Sequence, residues 1–145
     1  MIKTIIITLV ILCLIVALGY YQKRQHNKTL QLLNESRPKL TRSEYINLLV
    51  EKGFDKHHVE VVYDNIRKLI DREDFSIYPE DDIHNAYGID DLEDDEFISN
   101  ICKALHIRTA NQEDCNLLNK EMKTFNAEYI LTITKNIAKD KHLSS

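Results

Sequence analysis

From Thr4 to Gln22 the chain carries no charged residue and apolar side chains recur at almost every position, with no polar face. As a helix rising about 1.5 Å per residue this run is about 28 Å long, close to the roughly 30 Å apolar thickness of a bilayer. The pattern predicts a transmembrane anchor over residues 1–22, embedded through residues 4–21. Beyond it the pattern turns amphipathic. Residues 23–40 hold only Leu30, Leu32 and Leu33 as a loose apolar face before Pro38 makes Arg37 unfavourable in the α conformation, so they read as a helical stalk or linker.

Residues 41–142 read as one helical domain. "TRSE" at Thr41–Glu44 is a capping box that opens a short helix with Tyr45, Leu48 and Leu49 on its stripe, and Gly53 supplies a left-handed stop. Asp55 caps the next helix, where Val59, Val62, Tyr63, Ile66, Leu69 and Ile70 recur at three- and four-residue steps. From Asp74 to Ile89 the period is lost and Pro79 and Gly88 punctuate, which predicts a long ordered loop tucking Phe75, Ile77, Ile83, Tyr87 and Ile89 under the bundle. "DDLE", Asp90 to Glu93, then caps a helix with Phe97, Ile98, Ile101, Cys102 and Leu105 on one face. Thr109 or Asn111 starts a shorter helix holding Leu117, Leu118 and Met122. Thr124 or Asn126 starts a last one holding Tyr129, Ile130, Ile133 and Ile137, followed by a polar, frayed "KDKHLSS" tail. No strand period occurs, so the class is all-α.

Charge refines this picture. A net charge of −4 argues against nucleic acid as a partner, because phosphate affinity comes from clustered Lys and Arg. Tyr20 and Tyr21 fall at the expected interfacial belt, and Lys23, Arg24 and Lys28 outnumber Lys3 before the run. The positive-inside rule therefore places the C-terminal domain of a single-pass protein in the cytoplasm. A cleaved signal peptide competes with this reading, since Ala17-Leu18-Gly19 puts small residues where a signal peptidase inspects them. The three cysteines form no C-x-x-C pair, and Cys102 falls on an apolar helix face as a reduced core residue.

The sequence offers no catalytic constellation, no metal site and no cofactor motif: it contains no H-E-x-x-H, P-loop, G-x-G-x-x-G or G-x-S-x-G, and has only three glycines. His57 and His58 beside Glu60 point about 100° apart on a helix, which suits a solvated helix start better than a metal. An EF-hand alignment with Gly88 at the sixth position puts Ile83 and Asp94 where an Asp and a Glu are required, and fails. What stands out is the run of acids from Asp90 to Glu96, with no basic residue until Lys103. Acids in a first helical turn are stabilised by the helix dipole without any partner, so a solvated face competes with a binding role.

"YGIDDLEDDEFISNICKALHI", Tyr87 to Ile107, resembles the core motif of acyl carrier proteins: Gly88, Asp90, Leu92, Glu96, Phe97, Leu105 and Ile107 match the family's Gly-x-Asp-Ser-Leu helix start, acids and closing apolar pair without a gap. The resemblance extends in order of elements from about Val59 to Ala138. It implies an acyl-carrier-like four-helix bundle, to which the helix at 41–53 is an extra element. It also implies that the acidic helix, the family's second, docks on basic partner surfaces. Where the family has the serine that takes the phosphopantetheine arm, this chain has Asp91, and a carboxylate cannot form that phosphodiester. The expectation is a non-catalytic, membrane-anchored adaptor or regulatory module without a prosthetic group. Asp90, Asp91, Glu93, Asp94 and Asp95 would meet a basic protein surface. The alternative is a genuine phosphopantetheine carrier in lipid or polyketide-type synthesis, modified elsewhere.

Overall fold

The computed structural model describes residues 2–70, 72–88 and 94–143, and within them every side chain except those of residues 2–5, 26 and 140–143. The described residues form seven helices and no strand. The chain divides into two compact units, Met1–Pro38 and Lys39–Ser145.

The first unit holds one helix, α1 (Ile2–Glu35), which runs without a break through residue 22, so the segments expected as anchor and as stalk form a single helix. It is the one helix among the described residues long and apolar enough to cross a membrane, by length and composition, as a signal sequence also is. Its large apolar side chains from Ile6 to Leu18 are each more than half exposed. A helix that is apolar all round gains nothing from water and suits a lipid solvent. Ser36 closes it, its amide donating to the Leu32 carbonyl at 3.0 Å and its hydroxyl to that of Leu33 at 2.9 Å, ahead of Pro38.

In the second unit α2 (Arg42–Glu51) starts on the predicted capping box. The Glu44 amide donates to Thr41 Oγ1 at 3.3 Å and the Thr41 amide to Glu44 Oε2 at 2.8 Å. Gly53, at φ +88°, ends the turn in the left-handed region where a side chain is strained. In α3 (Lys56–Leu69) the carboxylate of Asp55 accepts from the His58 amide at 3.0 Å. Val59, Val62, Tyr63 and Ile66 are buried along its stripe. Leu69 departs from the predicted stripe: it is 37% exposed, because the chain leaves the helix there and the extended Ile70 takes the inward position. This stripe makes α3 the hub, packed against α2, α5 and α7. Tyr63 meets Tyr45 of α2 edge-on with centroids 4.8 Å apart.

The predicted loop does bury Phe75, Ile77, Ile83 and Tyr87, while Ile89 lies outside the described residues. Arg67 of α3 holds it, donating to the carbonyls of Phe75 at 2.7 Å and Arg72 at 3.1 Å. Within that loop lies a helix the periodicity did not reveal, α4 (Ile83–Tyr87), capped by Asp82 and closed by Gly88 at φ +71°. The next helix, α5 (Asp94–Ala104), buries Phe97, Ile98, Ile101 and Cys102 as its pattern requires. It stops at His106 in the left-handed region, φ 56°, with the Ile107 amide returning to the Cys102 carbonyl at 3.1 Å. A second capping box, Asn111 with Asp114, starts α6 (Gln112–Asn119). There Leu118 is buried while Leu117 is 61% exposed, so one leucine of the predicted pair faces the core.

Asn126 accepts from the Tyr129 amide at 3.0 Å and starts α7 (Ala127–Leu143). Tyr129, Ile130, Leu131, Ile133 and Ile137 are all buried, and α7 packs on α3 and α6. The polar segment expected to fray continues this helix to Leu143, since it contains no Gly or Pro to stop it.

Candidate functional site

Three of the acids singled out in the sequence, Asp90, Asp91 and Glu93, lie outside the described residues, as does Leu92 of the motif. The other two open α5, whose first turn is Asp94, Asp95 and Glu96. Phe97, Ile98, Ile101 and Cys102 commit the opposite face to the core, so the period of the helix turns Asp95 and Glu96 outward, and both are exposed.

Asp94 behaves differently from the solvated rim charge that its position implied. Its carboxylate lies against His84 of α4, with Nε2 2.8 Å from Oδ1 and 2.9 Å from Oδ2, and the two side chains are only 23% and 27% exposed. The Asp82 carboxylate accepts from the His84 amide at 3.0 Å, and the His84 ring stacks on Phe125, centroids 4.8 Å apart and planes 14° from parallel. Phe125 in turn meets Phe97 and Tyr129 edge-on, and its carbonyl accepts from the Ile83 amide at 2.8 Å. The segment ahead of α7 thus fixes α4, and α4 through His84 fixes the start of α5.

These groups wall a polar recess of about 440 Å³. Asp82, His84, Asp94 and Asp95 form one side, with Cys115 and Asn119 of α6 and Tyr129 of α7 on the other. Tyr129 donates its hydroxyl to Asn119 Oδ1 at 2.9 Å. Burial, then the neighbouring Cys115, pushes its phenol up to about 12. Burial, and after it the Asp95 carboxylate, also pushes the Cys115 thiol up, against an opposing hydrogen bond with Tyr129. The thiol therefore stays protonated at neutral pH and is a weak nucleophile, since the thiolate is the reactive form. Among the described residues no group of three or more His, Cys, Asp or Glu could hold a metal ion.

His84, Cys115, Phe125 and Tyr129 have no signature in the sequence, because they come from separate elements that only the tertiary packing brings together. Comparison of the chain with known protein families, with curated proteins and with solved structures yields no match.

Proposed function

We propose that the chain is a membrane-anchored, non-catalytic adaptor whose Lys39–Ser145 unit is an acyl-carrier-like bundle and whose acidic helix, α5, docks on a basic surface of a protein partner. The observation that carries this reading is the first turn of α5, where Asp95 and Glu96 are exposed and no basic side chain of the helix precedes Lys103. The order of elements supports the carrier-like part: a long α3, a long connection, an acidic α5, a short α6 and an amphipathic α7. On this reading α1 is the anchor and the body faces the cytoplasm, supported by Lys23, Arg24 and Lys28 just after the apolar run.

Rim charges of this kind mainly set encounter rate and orientation, while affinity needs a few desolvated apolar contacts beside them. The test is capture from solubilised membranes by the full chain and by a variant carrying Asp95→Asn and Glu96→Gln. Loss of a captured basic protein at unchanged thermal stability supports the adaptor. Equal capture refutes the role of α5. Intact mass after coexpression with a phosphopantetheinyl transferase addresses the absent arm: an unchanged mass agrees with Asp91 at the serine position, and an added phosphopantetheine makes the chain a carrier.

A further inference from the structure

A second cleft, of about 430 Å³, opens between the α2–α3 turn and α7 and takes no part in the acidic recess. Its apolar surface comes from the half-buried Phe54 and Ala138, beneath which Leu131 is fully buried. Lys135 and Lys139 stand four residues apart on α7, and therefore on one face, at its rim. Lys135 reaches across, donating from Nζ to the Gly53 carbonyl at 3.2 Å with its ammonium 5.5 Å from the centre of the Phe54 ring. The acid at this rim, Asp55, is engaged in capping α3. His58, also lining the cleft, is held below the usual histidine range by burial, so it adds little charge at neutral pH. In a chain of net charge −4, an apolar floor beneath two ammonium groups is a local reversal of sign.

We propose that this cleft binds a single-chain carboxylate amphiphile, a medium-chain fatty acid, with its carboxylate between Lys135 and Lys139 and its alkyl chain against Phe54 and Ala138. The size falls in the roughly 300–1,000 Å³ range of small-molecule sites. Charge selects an anion, and the floor selects an alkyl chain over a peptide. A peptide backbone laid on Phe54 and Ala138 would leave amides and carbonyls without partners, at a cost an alkyl chain does not incur. A carboxylate between the two ammonium groups would accept charge-assisted hydrogen bonds from both.

The chain contains no tryptophan, so Phe54→Trp puts a lone fluorophore in the cleft, and Leu117→Trp on exposed α6 provides the control. Both full-length proteins, in phosphatidylcholine nanodiscs, are titrated with bromine-labelled dodecanoate, a contact quencher. Saturable quenching is expected at the first reporter only, displaced by unlabelled dodecanoate and not by dodecanol. Lys135→Gln with Lys139→Gln should weaken it by about tenfold or more, the effect of losing about 1.4 kcal/mol. Linear quenching equal at both positions would mean bilayer partitioning alone and would overturn the site. So would equal competition by dodecanol, saturable binding indifferent to the two lysines, or displacement by an acidic amphipathic peptide where dodecanoate fails.

Discussion

Asp94→Asn removes the negative charge that faces His84 while keeping the shape of the side chain. The pair makes contacts of 2.8 and 2.9 Å and is less than one third exposed on either side. A hydrogen bond to a charged group contributes about 1.5–3 kcal/mol, and partial exposure to water discounts this pair to about 1–2 kcal/mol. Because His84 also stacks on Phe125, His84→Gln alone loses ring contact as well as the carboxylate. The pairwise part is therefore isolated by a cycle of Asp94→Asn, His84→Gln and the double variant, read by urea unfolding of the full chain in nanodiscs under circular dichroism. A coupling of about 1 kcal/mol or more is expected from contacts of 2.8 and 2.9 Å. Asp95→Asn, by contrast, should shift stability by less than about 0.5 kcal/mol, as exposed substitutions do. Coupling under about 0.3 kcal/mol, or an Asp95 effect as large as that of Asp94, would contradict the division of the two neighbouring acids into one that holds the fold and one that faces outward.

Ile66 and Ile101, 1% and 0% exposed on the packed helices α3 and α5, should each cost about 2–5 kcal/mol on truncation to Ala in the same unfolding assay. At His106, in the left-handed region at φ 56°, a change to Gly relieves about 1–2 kcal/mol of backbone strain and loses about 0.4–1 kcal/mol to a more flexible unfolded chain, so a net gain of roughly 0.5–1 kcal/mol is expected. Asp114 is held below the usual carboxylate range, first by its hydrogen bond from Arg108, at 2.6 Å, and this effect prevails over burial. A lowered folded-state value means that the unfolded chain binds the proton more readily. The contribution is thus complete above about pH 5 and fades as the pH falls through the carboxylate range, and Asp114→Asn should flatten the acid limb of the stability profile.

Most helix starts were legible because their signals are local. Thr41 with Glu44 and Asp55 before the next helix act within one turn and cap as read, while Asn111, one of two candidates with Thr109, proves to be the cap of α6. The stripes of α3 and α5 were legible for the same reason. At five residues, α4 is too short to display a period, although Asp82 and Gly88, its two boundary residues, are both visible in the sequence. The role of Asp94 was hidden by distance: an acid in a first helical turn looks the same whether it faces water or a histidine ten residues earlier. The recess is less legible still, since Cys115 and Tyr129 reach it only after α6 packs on α7. The apolar cleft has the same origin, for nothing in the sequence ties Phe54 to Lys135, 81 positions later.

The central claim, that α5 presents its acids to a basic partner, is tested most directly by association kinetics. The full chain in nanodiscs is compared with the Asp95→Asn, Glu96→Gln variant against the captured partner across a salt series. Exposed charges are screened over about 8 Å at physiological ionic strength, so the wild-type association rate should fall as salt rises, and the variant should be slower at low salt and converge with it at high salt. Identical rates and identical salt slopes for the two proteins would show that the acids of α5 are a solvated helix face and would contradict the account.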